Sequence, residues 1–196
     1  MRASWGARLI GRLYLRAFGW RLAGSLPCRR AVVIAAPHTS NWDLPFMLAV
    51  SYALGAKPSW LGKRELFGGP LGWLLRRLGG IAVDRSAPQG LVGEAVARFG
   101  ERDELFLVIP PSGTRARAPY WKSGFYHVAR GAGVPIVCAY LDYRARVGGI
   151  GLSLTPSQSI GADMDRIRAF YADKQAKFPA QMTPVRLREE EETDAA

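Results

Sequence analysis

His38 is one of two histidines in the 196-residue chain, and Asp43 follows five positions later in Pro37-His38-Thr39-Ser40-Asn41-Trp42-Asp43. An imidazole can take a proton from a hydroxyl when a carboxylate on one ring nitrogen fixes the tautomer and leaves the other nitrogen free. A spacing of five does not stack two side chains on a regular helix, where neighbours lie three and four apart. It does serve if His38 lies in a loop and Asp43 in the first turn of a helix. The flanks agree. Residues 31–36 are an apolar run of buried-strand length, and 44–50 read as the first turns of a helix. The end of a buried strand is where α/β folds place chemistry. The plainer reading makes His38 a helix-start residue, Asp43 a dipole-complementing acid, and Thr39, Ser40 and Asn41 caps.

The rest of the chain must supply a frame for this pair. Residues 59–62 form a second strand candidate, and 71–78 a short amphipathic helix stopped by Gly79-Gly80. Residues 80–85 read as a strand ending in Asp84-Arg85, and 90–99 as a helix. Residues 105–110 are an apolar strand running into Pro111-Ser112-Gly113-Thr114-Arg115. A loop at 120–123 enters a helix capped by Gly133. Strands follow at 134–141 and 148–155, then a helix over 163–178 with Asp163 at its start. This alternation predicts an α/β fold: one domain, a mixed but mostly parallel sheet flanked by helices, with an N-terminal amphipathic helix. The expected organisation is a basic membrane-interface helix over 1–27, the α/β domain over 28–180, and a charged, disordered tail over 181–196.

Hydrophobic residues make up 48% and charged residues 22%, which describes a globular chain. The net charge of +11 and sequence pI near 10.3 favour an anionic partner. Nucleic acid has no motif here: the arginines are scattered through apolar sequence. A membrane surface or lipid phosphate fits better. Within residues 2–22, Arg8, Arg12 and Arg16 share one helical face, while Leu9, Ile10, Leu13, Tyr14, Ala17 and Trp20 fall on another. A basic amphipathic helix with aromatics is suited to lying in a membrane interface. It is too short an apolar run to span, and it lacks a signal peptide's cleavage site. The alternative is an ordinary helix packed on the domain. Cys28 and Cys138 have no metal-type spacing and read as buried thiols of a reducing compartment.

Polar clusters thus stand beyond three apolar strands, at His38/Asp43, Asp84-Arg85 and Ser112 to Arg115, followed by Val134-Pro135-Ile136. This ordered set resembles the glycerolipid acyltransferase family, typified by 1-acyl-glycerol-3-phosphate acyltransferases. His38 and Asp43 match its His, four residues, Asp motif. Gly80 and Asp84-Arg85 match its second motif, and Pro111, Gly113, Thr114 and Arg115 its third, usually Pro-Glu-Gly-Thr-Arg. Lys63-Arg64-Glu65-Leu66 is similar to the block ahead of the second motif. The resemblance covers roughly residues 30–141. It departs at Ser112, where the family normally has Glu; a hydroxyl there removes a charge and a bidentate acceptor.

The resemblance implies transfer of a fatty acyl group from acyl-CoA or acyl-carrier protein to a lysolipid hydroxyl, with no metal or other cofactor. His38 would be the general base and Asp43 its orienting partner. Arg85 and Arg115 would bind an anionic head group, with Lys63 a third cation. Gly113 and Thr114 would offer backbone N–H groups to the developing oxyanion. Ser112 would bear on the choice of acceptor. Trp121 and Lys122 suit either the acceptor mouth or core packing, and His127 reads as a non-catalytic helix residue. Expected partners are the acyl thioester, membrane lipid and an anionic surface, with the protein peripheral on the cytoplasmic side. A lipid-binding protein that has lost catalysis, an acyl thioesterase and a charge-driven nucleic-acid binder are the competing classes.

Overall fold

The computed structural model describes residues 2–83 and 90–190, and of Lys63 the backbone alone. Asp84, Arg85, the Lys63 side chain and the tail over 191–196 therefore lie outside the described residues. The described strands are β1 (Arg21–Ala23), β2 (Arg30–Ala35), β3 (Pro58–Lys63), β4 (Gly80–Val83), β5 (Leu105–Ile109), β6 (Ile136–Asp142) and β7 (Val147–Leu154). The helices are α1 (Trp5–Ala17), α2 (Asp43–Leu54), α3 (Gly69–Arg77), α4 (Gly90–Gly100), α5 (Gly124–Ala132) and α6 (Ile160–Tyr171). The strands join in one sheet, ordered β1-β7-β6-β2-β5-β3-β4. Its paired neighbours run parallel except β6 and β7. This is the α/β single-domain, mostly parallel architecture that the alternation of elements predicts.

Central β2 is apolar from Ala31 onward because helices cover both faces of a parallel sheet. On one face Val32, Ile34, Leu105, Leu107 and Ile136 pack against Phe99 of α4, Phe125 and Val128 of α5, and Met164 and Ile167 of α6. On the other, Ala31, Val33, Phe106, Val108 and Val137 face Met47 and Leu54 of α2. Helix α3 shares the α2 face. Gly62 and Gly80 point that way, and a Cβ on Gly80 would lie 2.7 Å from the Phe67 ring and 2.8 Å from the Leu75 carbonyl. Helix α1 packs outside α2 through Gly11, where an added Cβ would meet the Ala49 carbonyl at 2.5 Å. Helix α1 is therefore packed on the domain, with Trp5, Ile10 and Leu13 exposed.

Three boundaries differ from expectation. The N-terminal helix stops at Ala17 rather than running to 27. Gly19, at φ +69, reverses the chain, and the Gly19 and Trp20 N–H groups donate to the Arg16 and Leu15 carbonyls at 3.0 and 2.8 Å. That double closure is what a left-handed glycine makes possible. Trp20 is then buried on Phe46, ring centroids 4.5 Å apart, and Arg21–Ala23 becomes an edge strand. The last helix begins at Ile160 behind the Ser159 cap and ends at Tyr171. Asp163 is inside it and buried, accepting from Tyr126 Oη (2.9 Å) and Ser157 N (2.7 Å). Finally, residues 181–190 are not a disordered tail. Leu187 is fully buried, Val185 packs on the core, and Trp121 N donates to the Arg186 carbonyl at 2.8 Å. Burying those two apolar side chains and pairing Arg168 with Glu190 docks the segment despite its charge.

Candidate active site

His38 sits in the loop after β2 and Asp43 opens α2. One carboxylate collects four donors. Oδ2 accepts from His38 Nδ1 at 2.9 Å and from the Thr39 and Ser40 N–H groups at 3.0 Å each. Oδ1 accepts from the Tyr143 hydroxyl at 2.7 Å. An ionised carboxylate only accepts, so the proton of the His38–Asp43 bond belongs to Nδ1, and in the neutral ring Nε2 keeps its lone pair. Asp43 is 5% exposed, whereas the His38 side chain is 27% exposed. Burial works against the Asp43 charge. The hydrogen bonds from His38, Tyr143, Ser40 and Thr39 together outweigh it and hold the carboxyl below its ordinary value. Burial first, then the hydrogen bond to Asp43 and its charge, push the Tyr143 hydroxyl up, so it remains a donor. The expected caps work differently: Trp42 is the N-cap, without a side-chain bond. Ser40 Oγ accepts from Trp42 N (3.2 Å) and Thr39 Oγ1 from Phe178 N (3.2 Å).

The turn after β5 lies beside this pair. Gly113 takes φ +65, and a Cβ there would come within 2.9 Å of the Lys122 side chain. Its N–H donates to the Pro110 carbonyl at 3.1 Å, which removes it from the expected oxyanion role. Ser112 is buried and donates from Oγ to the Thr114 carbonyl at 2.7 Å; Thr114 Oγ1 accepts from Ala116 N at 3.2 Å. These two residues shape the turn, and neither is on the cavity wall described next.

A cavity of about 780 Å³ joins the pieces. Its deep part runs between α2 and the sheet, walled by Met47, Val50, Leu54, Val33, Phe106, Val108 and Ile150. It passes His38 and Asp43 over the carboxyl ends of β2 and β5, then reaches Leu91 and Val92 of α4 and the cations Arg115 and Lys122. Volume and lining are those of a small-molecule site, apolar with a few convergent polar groups. Trp121, by contrast, packs in the core, and His127 is exposed on α5. The arrangement can hold a long apolar chain with an anionic end and present a lone pair to a hydroxyl between them.

Sequence reasoning left out Tyr143 and did not commit to Lys122. Tyr143 lies 100 positions from Asp43, in the β6–β7 turn, and carried no local signal. Gln181 was also missed. With its amide oriented to donate, it reaches the Arg115 and Thr39 carbonyls at 3.1 Å each and so ties both loops of the site together.

A match to the acyltransferase family covers residues 21–142. The chain is 31% identical over 144 residues to the 1-acyl-sn-glycerol-3-phosphate acyltransferase of Haemophilus influenzae, covering 67% of this chain and 57% of that one. It is 32% identical over 116 residues to the protein of the same name from Escherichia coli, covering 54% and 44%. It thus spans about half the length of these curated relatives. The crystal structure of the 1-acyl-sn-glycerophosphate acyltransferase from Thermotoga maritima superposes with a TM-score of 0.57 at 17% identity, over 85% of this chain and 75% of that chain. That likeness concerns the fold.

Proposed function

The chain belongs to the acyltransferase family, and on that footing we propose that it moves a fatty acyl group from an acyl thioester, acyl-CoA or acyl-carrier protein, to a hydroxyl of a lysophospholipid or related lysolipid. The observation that carries this reading is the free Nε2 of His38 on the wall of a long apolar cavity. His38 Nε2 takes the hydroxyl proton as that oxygen attacks the thioester carbonyl. Asp43 holds the ring and stabilises the imidazolium. The tetrahedral intermediate collapses with release of the thiol. Arg115 and Lys122 meet the acceptor's anionic group, with Arg85 and Lys63 as further cations. The acyl chain occupies the deep part under α2. The exposed apolar and basic face of α1 rests on an anionic membrane, on the cytoplasmic side. Among the described residues no helix is long and apolar enough to cross a membrane.

Thiol release from long-chain acyl-CoA, and from acyl-carrier protein, tests this across a lysolipid panel with a no-acceptor control. Transfer that requires an acceptor and falls about 10²- to 10⁴-fold in His38→Ala is expected, the usual contribution of a general base. Asp43→Asn should fall as well, with the circular dichroism of both variants unchanged. Wild-type turnover in His38→Ala would sink the mechanism. Release independent of acceptor would make the protein a thioesterase.

A further inference from the structure

A second cleft, of about 690 Å³, lies behind Asp43. Three cations from distant parts of the chain converge on it: Arg16 in the last turn of α1, Arg146 in the β6–β7 turn, and Lys177 beyond α6. No carboxylate lines it. None of the three has a salt-bridge partner among the described residues. Its walls are aromatic. Trp20 stacks on Phe46, Tyr143 stands edge-on to Trp20 at 4.9 Å, and Lys177 Nζ lies 5.1 Å over the Trp42 ring. Arg146 takes φ 50, the one described non-glycine residue on the positive side. Asn or Gly would hold that conformation at lower cost. An arginine kept in a strained turn, beside two other cations that have no carboxylate partner among the described residues, fits a site whose charge is offset by something bound.

We propose that this cleft binds a phosphate ester group. Guanidinium and ammonium groups from three sides match phosphate oxygens, and the rings give the rest of the ligand a flat apolar surface. The cleft is separate from the Arg115 and Lys122 end of the cavity. The two share no wall residue, and the Tyr143–Asp43 hydrogen bond stands between them. Two sources carry this chemistry: the phosphates of a coenzyme A donor, and the head groups of a phospholipid surface beneath α1. The donor source rests on the transfer reaction proposed above; the head-group source does not.

The test reads binding without turnover, so its outcome is independent of whether thioester is consumed. The triple variant R16Q/R146Q/K177Q is compared with R98Q/R130Q/R166Q, which removes equal charge from α4, α5 and α6 across the sheet. One arm measures coenzyme A by calorimetry. The other measures co-sedimentation with phosphatidylcholine vesicles with and without phosphatidylglycerol. The cleft variant should lose affinity about tenfold or more in at least one arm, while the control stays within about twofold of wild type in both. Loss for coenzyme A alone assigns the donor's phosphates, loss for vesicles alone the head group, and loss in both a site open to either. A cleft variant that tracks the control in both arms overturns the proposal. Should the triple variant misfold, Lys177→Gln alone, at an exposed position, decides by the same readings.

Discussion

The carboxylate of Asp43 shows why a five-residue spacing was readable while its support was not. His38 and Asp43 announce themselves because a strand end and a helix start fix where both must lie. Tyr143 supplies a fourth donor from a turn that only the antiparallel β6–β7 pairing brings back to α2. It stands one residue beyond the stretch matched to the family. Ser112 teaches the converse: its type was noticed, but its hydroxyl is spent on the Thr114 carbonyl. Tyr143→Phe removes one donor from a buried, ionised group, at a cost of about 1.5–3 kcal/mol at neutral pH. A folded-state pKa held below the unfolded value gives stability that is present above the unfolded value and lost as pH falls through the folded one. The variant's carboxyl moves back up, so its acid-unfolding midpoint should shift to higher pH, and kcat should fall more than KM changes. An unmoved midpoint would remove Tyr143 from the support of Asp43.

Among the elements, the central strands and the helices between them were legible because apolar runs and glycine stops alternate along the chain. Two segments were not. Strand β1 is three residues at a sheet edge, too short for a periodic signal. Residues 178–190 mix apolar, proline and charged residues without a strand or helix period, with Val185 and Leu187 as their apolar contacts to the core. That segment still reaches the site: Phe178 N bonds Thr39, Gln181 bonds the loops of His38 and Arg115, and Thr183 Oγ1 accepts from Ala118 N at 3.0 Å. Leu187→Ala should cost about 2–5 kcal/mol in denaturant unfolding, the range for truncating a fully buried leucine. It should also lower turnover under conditions where the variant is still folded. A cost near zero would mean that the segment is not docked. The α1–α2 contact yields an opposite kind of test. At Gly11 a Cβ meets the backbone of Ala49 and Ala53 at 2.5 and 2.9 Å, which no rotamer change relieves. Gly11→Val should therefore destabilise by about 1–3 kcal/mol and raise proteolysis before Trp20, leaving the sheet intact.

At the scale of the molecule, the charge of +11 was visible in composition, but its placement was not. The helices α1, α2 and α3 share one face of the sheet, and most of the large exposed apolar side chains lie on that face. Trp5, Ile10 and Leu13 of α1 are 78%, 67% and 56% exposed, and Leu71 and Trp73 of α3 are 58% and 63% exposed. Arg8, Arg12 and Arg76 stand exposed among them. Apolar side chains inserted into a bilayer and arginines at its head groups contribute separably: the first by buried area, the second by a charge attraction that salt screens. Replacing Trp5, Ile10 and Leu13 by serine leaves the α1–α2 contact through Gly11 and Leu15 untouched, so the fold should persist. Binding to anionic vesicles should then drop at every salt concentration. Replacing Arg8 and Arg12 by glutamine should instead cost affinity at low salt and much less at high salt. If the serine variant binds vesicles as wild type does, α1 is only a packed helix, and the lipid-facing surface lies elsewhere on the same layer.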